Sequence, residues 1–119
     1  KISEKFPITL SYQDIKQYAA QGRYGDICID GPMDVKTACD AESGAIKGIA
    51  SPVVGNADIL LFPDIEAGNT FYKTITYFAH ATVTGMLAGT TVPVVVTSRA
   101  DSADSKFYSL AVACMKAIR

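Results

Sequence analysis

Along the chain, the apolar positions fall into two kinds of run, and their spacing separates expected helices from expected strands. Leu10 to Ile15 carries the signs of a helix start: Ser11 is placed to cap, Asp14 takes the third helical position, and Leu10 can staple against Ile15. This helix is expected to end near Gly22, before an apolar strand at Asp26-Ile27-Cys28-Ile29. Asp30-Gly31-Pro32 breaks the strand as a turn, and Met33 to Ala41 reads as a short helix. The small, glycine-containing and aperiodic stretch from Ala41 to Gly55 reads as a surface loop or an irregular crossover. Ala57 to Phe62 is an apolar run of strand length, the pattern of a parallel strand buried on both faces.

Pro63 ends that strand, and Asp64 to Asn69 reads as a turn. Beyond it Tyr72, Ile75, Phe78, Ala79, Thr82, Val83, Met86 and Leu87 recur at helical spacing, with Gly89 as a natural stop. Val92 to Val96 is a further buried strand, with Pro93 near its start where a missing N–H does least harm. Phe107, Leu110, Ala111, Cys114, Ala117 and Ile118 mark the buried face of a last helix. Asp101 and Asp104 lie near its start and Lys116 and Arg119 in its last turn, matching the helix dipole. Strands alternating with helices predict an α/β fold, a mainly parallel sheet flanked by helices, in a single domain over residues 1–119.

Composition changes this picture little. A chain with 49% apolar and 19% charged residues is that of a globular protein and argues against disorder. A net charge of −1 provides no basic field for nucleic acid or an anionic membrane, so an anion would need a local site. The stretch from Thr74 to Ser98 carries no charge apart from a protonated His80 and is long enough to span a bilayer. Gly85, Gly89 and Pro93 interrupt it, and it reads as a buried helix followed by a buried strand. Cys28, Cys39 and Cys114 form no metal-ligand or CxxC spacing, which favours reduced, buried and inert thiols in a cytosolic compartment.

In a parallel sheet, ligands bind beyond the carboxyl ends of the strands. Two segments take that place: Pro63 to Asn69, with Lys73 one turn inside the following helix, and Thr97-Ser98-Arg99-Ala100-Asp101-Ser102. Polar groups at a strand end, followed by free N–H groups at a helix start, make an anion site. Arg99 adds a planar guanidinium able to hold two phosphate oxygens. Each feature alone has a plain structural explanation. Ser98, Asp101 and Ser102 serve equally as helix caps, Gly68 and Asn69 as turn residues, Arg99 and Lys73 as solvated cations. His80 has no partner at ligand spacing, and Gly85 to Gly89 reads as close helix packing with a C-cap. No nucleophilic triad, Walker loop or dinucleotide fingerprint is present, and no metal site is expected.

At these same residues the chain resembles the phosphate acetyl/butyryltransferase family. The resemblance lies in Ala57 to Asn69 with Tyr72-Lys73 following, and in Pro93 to Ser102. Asp30-Gly31-Pro32-Met33 and Ser51-Pro52-Val53-Val54-Gly55 fit in the same order, so that it covers about Asp26 to Ala113. The Thr-Ser-Arg-Ala-Asp-Ser form is closer to the phosphate butyryltransferase branch. The resemblance implies reversible acyl transfer between coenzyme A and inorganic phosphate, on a fold like that of the isocitrate and isopropylmalate dehydrogenases. It implies no cofactor beyond the coenzyme A thioester as substrate, a cytoplasmic homodimer, and no nucleic-acid or membrane partner.

Carried over by position, Ser98 and Arg99 match the family's Ser-Arg pair, which binds and polarises phosphate and acyl groups. Asn69 and Lys73 match family positions near the same cleft, and with Gly68 they are the candidate substrate-binding residues. The acidic residue proposed as base in the acetyl branch corresponds here to Ser105, so Asp101, Asp104 or a residue outside the chain takes that role. Family enzymes have two domains and are much longer, which makes these residues the expected C-terminal portion of such an enzyme, inactive alone. The alternative is a non-catalytic ligand-binding or oligomerisation domain of the same fold.

Overall fold

The computed structural model describes residues 2–117. They form two compact units, Lys1–Pro63 and Asp64–Arg119. In the first unit α1 spans Ile8–Ala20, α2 Val35–Cys39 and α3 Ala41–Ile46. In the second, α4 spans Ile65–Phe78 and α5 Ala103–Ala117.

Local chemistry accounts for each helix end. The entry to α1 lies three residues before the expected Ser11: Pro7 pre-sets the backbone at φ −53°, and Thr9 Oγ1 accepts the Ser3 amide at 3.0 Å. The helix ends before Gly22, as expected, where φ is +73°. Asp34 caps α2 through the Thr37 amide at 3.0 Å, and Asp40 caps α3 through the Glu42 amide at 3.0 Å. The α3 helix corrects the loop expected at Ala41 to Gly55. Its Gly44 is required by packing and not by a turn, since a Cβ there would lie 2.1 Å from Val54 Cγ1. Ala38, Thr37, Ser43 and Val54 form the small core of this unit. The amides of Gly55 and Ala57 reach the carbonyls of Thr37 and Ala38 at 3.2 Å, tying the extended segment 57–62 to the end of α2.

In the second unit Asp64 Oδ1 accepts the Ala67 amide at 2.7 Å and starts α4 at Ile65, so Gly68 and Asn69 are helical and not turn residues. The helix does not run to Gly89. It stops at Phe78, with His80 exposed at φ +50° and the Ala81 amide returning to the Ile75 carbonyl at 3.1 Å. Thr82-Val83-Thr84 then favours extended backbone, because β-branched side chains crowd a helix. An antiparallel bridge joins Leu87 to Val94 across Gly89, which takes φ +81°. Gly85 meets nothing within 4 Å where a Cβ would stand, so the Gly85 to Gly89 pair is not a helix-packing site.

Segments 26–29, 57–62 and 92–96 are extended, but among the described residues they form no ladder with one another. Nor are they buried: Ile59 is 84% exposed, Leu61 64% and Val96 71%. An apolar run of this kind is covered only when strands flank it and helices lie on both faces, and the described residues do not supply those layers.

The expected buried face of α5 is corrected as well. Phe107 and Leu110 are exposed, while Ser105 and Ser109 are buried. Their hydroxyls accept the amides of Val83 at 3.3 Å and Gly85 at 3.1 Å. Only a short polar side chain allows a strand backbone to come this close to a helix. Ile118 and Arg119 lie outside the described residues. Cys28, Cys39 and Cys114 are exposed and unpaired, against the expectation that they are buried.

Candidate functional site: a braced cationic turn

The Ser98 to Asp101 turn connects the extended segment 92–97 to α5, and it is closed on itself. The Asp101 amide donates to the Ser98 carbonyl at 3.1 Å, and the Ser98 amide donates to Asp101 Oδ2 at 2.7 Å. The Ala100 amide reaches Ser98 Oγ at 3.4 Å. Ser102, and neither Ser98 nor Asp101, caps α5: its Oγ accepts the Ser105 amide at 3.1 Å. The capping explanation therefore holds for one of the three candidate residues.

The other Asp101 oxygen is engaged by a donor from outside the turn. Tyr72 Oη, on α4, donates to Asp101 Oδ1 at 2.5 Å. This bond, then the Ser98 amide and the charges of Lys73 and Lys106, hold the Asp101 carboxyl below its ordinary range, while partial burial opposes them. The same bond, with burial and the Asp101 charge, pushes the Tyr72 phenol above its ordinary value. Lys106 Nζ reaches the Arg99 carbonyl at 3.5 Å, and Lys73 Nζ stands 4.3 Å from the centre of the Tyr72 ring. The charges of Lys73 and Lys106 thus act on one carboxylate, and Lys106 also touches the backbone of Arg99. The Arg99 side chain is exposed and takes part in no hydrogen bond or ion pair among the described residues, so its fork of donors is open to a ligand.

The six residues named from sequence are all in this unit. Ser98, Arg99 and Asp101 share the turn. Gly68, Asn69 and Lys73 all lie on α4. Asn69 and Lys73 share a face at four-residue spacing, and Tyr72, three residues from Asn69 on the same side, joins the helix to the turn. A shallow groove beside Asn69, Lys73 and Tyr77 continues along α4. A larger groove of about 850 Å³ lies in the other unit, walled by α1 and by segments 26–35 and 57–63, and contains none of these six residues. Its lining is mainly apolar, and its Asp30 is engaged by Lys16 and by the Gly31 amide. No cluster of three metal-ligating side chains occurs among the described residues.

The family described as phosphate acetyl/butaryl transferase matches residues 2–114. The chain belongs to this family. It is 41% identical to a phosphate acetyltransferase of Rhizobium meliloti, over 99% of this chain and 37% of that protein. It is 40% identical to a phosphate butyryltransferase of Clostridium acetobutylicum, over 98% of this chain and 38% of that protein. The crystal structure of a branched-chain phosphotransacylase from Enterococcus faecalis V583 superposes with a TM-score of 0.85 at 37% identity, covering 99% of this chain and 43% of that one. The chain thus spans well under half the length of these relatives.

Within this phosphate acetyl/butaryl transferase chain, sequence reasoning passed over Tyr72. The signal was present: Tyr72 lies three residues after Asn69 and one before Lys73, on the face already selected. No local rule, however, pairs it with an aspartate twenty-nine residues further on. Ser105 was also under-read, because a hydroxyl inside a helix has no visible partner until Val83 is folded against it.

Proposed function

We propose that the full-length protein carrying this chain transfers an acyl group reversibly between coenzyme A and inorganic phosphate, and that the Ser98-Arg99 turn holds the phosphate. In the forward direction a phosphate oxygen attacks the thioester carbonyl carbon, the carbonyl oxygen gains charge, and the C–S bond then breaks to release the coenzyme A thiolate. Fixed donors aimed at the phosphate and at that oxygen lower the barrier most when they need not reorganise. The observation that supports this reading is an unpaired arginine on a turn braced by three short hydrogen bonds, in a chain of this family.

Asp101 serves this turn better as a brace than as a base. Both its oxygens accept hydrogen bonds and its proton affinity is reduced, the reverse of what a general base needs. The base for the thiol lies elsewhere in the full-length protein. Segments 26–29, 57–62 and 92–96 join a mainly parallel sheet there, and the protein works as a cytoplasmic homodimer without a further cofactor. The test is phosphate-dependent thiol release from acetyl- and butyryl-coenzyme A. The full-length protein is expected to show it and the isolated 119 residues to show none, because two substrates must be oriented together. Ordinary turnover by the isolated chain, or none by the full-length protein, contradicts this reading.

A further inference from the structure

We infer that Tyr72 is a positioning residue for this acyl transfer: its phenol fixes Asp101, and Asp101 fixes the Ser98 amide and with it the direction in which Arg99 leaves the turn. The inference rests on the function proposed for the Ser98-Arg99 turn. It goes beyond it by placing part of the site's rigidity on α4.

The chain of contacts is continuous and short. Tyr72 Oη donates to Asp101 Oδ1 at 2.5 Å, and Ser98 N–H donates to Asp101 Oδ2 at 2.7 Å. Each carboxylate oxygen is thus used once, one by the helix and one by the turn. Without the phenol, the carboxylate keeps the Ser98 amide but loses the contact that stops it rotating about its own side-chain torsions. Besides the bond from the Ser98 amide to Asp101, the turn is closed by the Asp101 amide on the Ser98 carbonyl at 3.1 Å and by a 3.4 Å contact of the Ala100 amide with Ser98 Oγ. None of these ties it to α4. Arg99 has no side-chain partner of its own among the described residues, so its position depends on its backbone. Ser98 N–H is also consumed by the brace. Anion binding therefore falls to the Ser98 hydroxyl and the Arg99 guanidinium, which need that backbone fixed.

The neighbouring charges fit the same role. Lys73 and Lys106 both act on Asp101 through space. A free carboxylate here would be drawn toward either ammonium or would repel an incoming phosphate.

The experiment is a double-mutant cycle on the full-length protein with Tyr72→Phe and Asp101→Asn, reading kcat and KM for phosphate in acyl-coenzyme A phosphorolysis, with Tyr24→Phe as control. A hydrogen bond to a charged group is worth about tenfold or somewhat more, so Tyr72→Phe should lower kcat/KM for phosphate by about tenfold. In the Asp101→Asn background it should have no further effect. Tyr24 is 45% exposed and lines neither groove, and its substitution should change neither constant. Equal losses from Tyr72→Phe in both backgrounds overturn the inference, because Tyr72 then acts independently of Asp101. So does a lowered melting temperature with unchanged kcat/KM, which is the mark of a structural role.

A second measurement does not depend on activity. In the 119-residue chain, Tyr72→Phe should speed hydrogen exchange of the Ser98 amide by about tenfold, and unchanged exchange contradicts the brace. If Arg99→Ala leaves phosphorolysis intact while the Ser98 amide does respond to Tyr72→Phe, the proposed function fails and the brace stands. If Arg99→Ala destroys activity while Tyr72→Phe changes nothing, the function stands and the positioning role is refuted.

Discussion

Ser109→Ala in the 119-residue chain reverses the usual expectation for a helix with an apolar stripe. Ser109 is 1% exposed; its hydroxyl donates to the Ser105 carbonyl at 2.7 Å and accepts the Gly85 amide at 3.1 Å. Alanine removes both bonds, but the Ser105 carbonyl keeps its ordinary helical partner. The loss falls on Gly85 N–H, left without its protein acceptor. An unsatisfied donor of this kind costs about 1–3 kcal/mol, and partial access of water at Gly85 puts it near the lower end. The unfolding entropy of a chain this long is about 0.25 kcal/mol/K, so about 1–1.5 kcal/mol lowers the melting temperature by roughly 4–6 °C. Phe107→Ala, by contrast, would cost about 3–5 kcal/mol in a core. At 65% exposure it should shift melting by no more than a few degrees. Thermal melting by circular dichroism reads both variants, and exchange of the Gly85 amide shows whether the bond was lost. A larger drop for Phe107→Ala than for Ser109→Ala refutes the serine-faced packing of α5.

Three further outcomes follow from the first unit and the exposed segments. Asp30 is held at about 2, first by the Lys16 ammonium, then by Ser51 and the Gly31 amide, against partial burial. Its folded value lies below its ordinary one, so its contribution is present above about pH 4 and lost as pH falls toward 2. Because the pair is partly exposed, that contribution is under about 1 kcal/mol, and Asp30→Asn should flatten the fall in melting temperature over that window; an unchanged fall contradicts the pairing. The amides of Ile59 to Leu61, which have no backbone partner among the described residues, should exchange freely in the 119-residue chain and become protected in the full-length protein. Protection already present in the short chain would show that the segment pairs within it. Cys28, Cys39 and Cys114 should react with a thiol reagent without denaturant, and slow labelling of all three contradicts their exposure.

The parts of the fold legible in the sequence are those set by local chemistry. Gly22 closing α1, a short helix within Met33 to Ala41 and an apolar helical spacing after Asn69 are each set within a few turns, whereas Asp64 reads as a turn residue and caps α4. Where the reading failed, tertiary contacts had decided. Gly44 looks like a loop residue until Val54 is seen against it, and Ser105 and Ser109 look solvated until a strand backbone lies on them. The Thr82-Val83-Thr84 run carried a strand signal that the apolar spacing of the preceding helix obscured. The apolar runs at 57–62 and 92–96 read as buried strands, but strand pairing and burial depend on neighbours that no run of six residues specifies. The candidate site was legible as two segments; the hydrogen bond from Tyr72 to Asp101 that joins them was not.

The central claim is that the Ser98-Arg99 turn binds phosphate for acyl transfer, and the rate of acyl-coenzyme A phosphorolysis by full-length Arg99→Ala and Arg99→Lys proteins tests it most directly. Loss of one such donor costs about 3 kcal/mol, so Arg99→Ala should fall by roughly a hundredfold at unchanged melting temperature. Arg99→Lys should recover only part of that, because an ammonium cannot reproduce the planar fork. Near-normal turnover in a well-folded Arg99→Ala protein contradicts the account and leaves the turn a structural connection into α5.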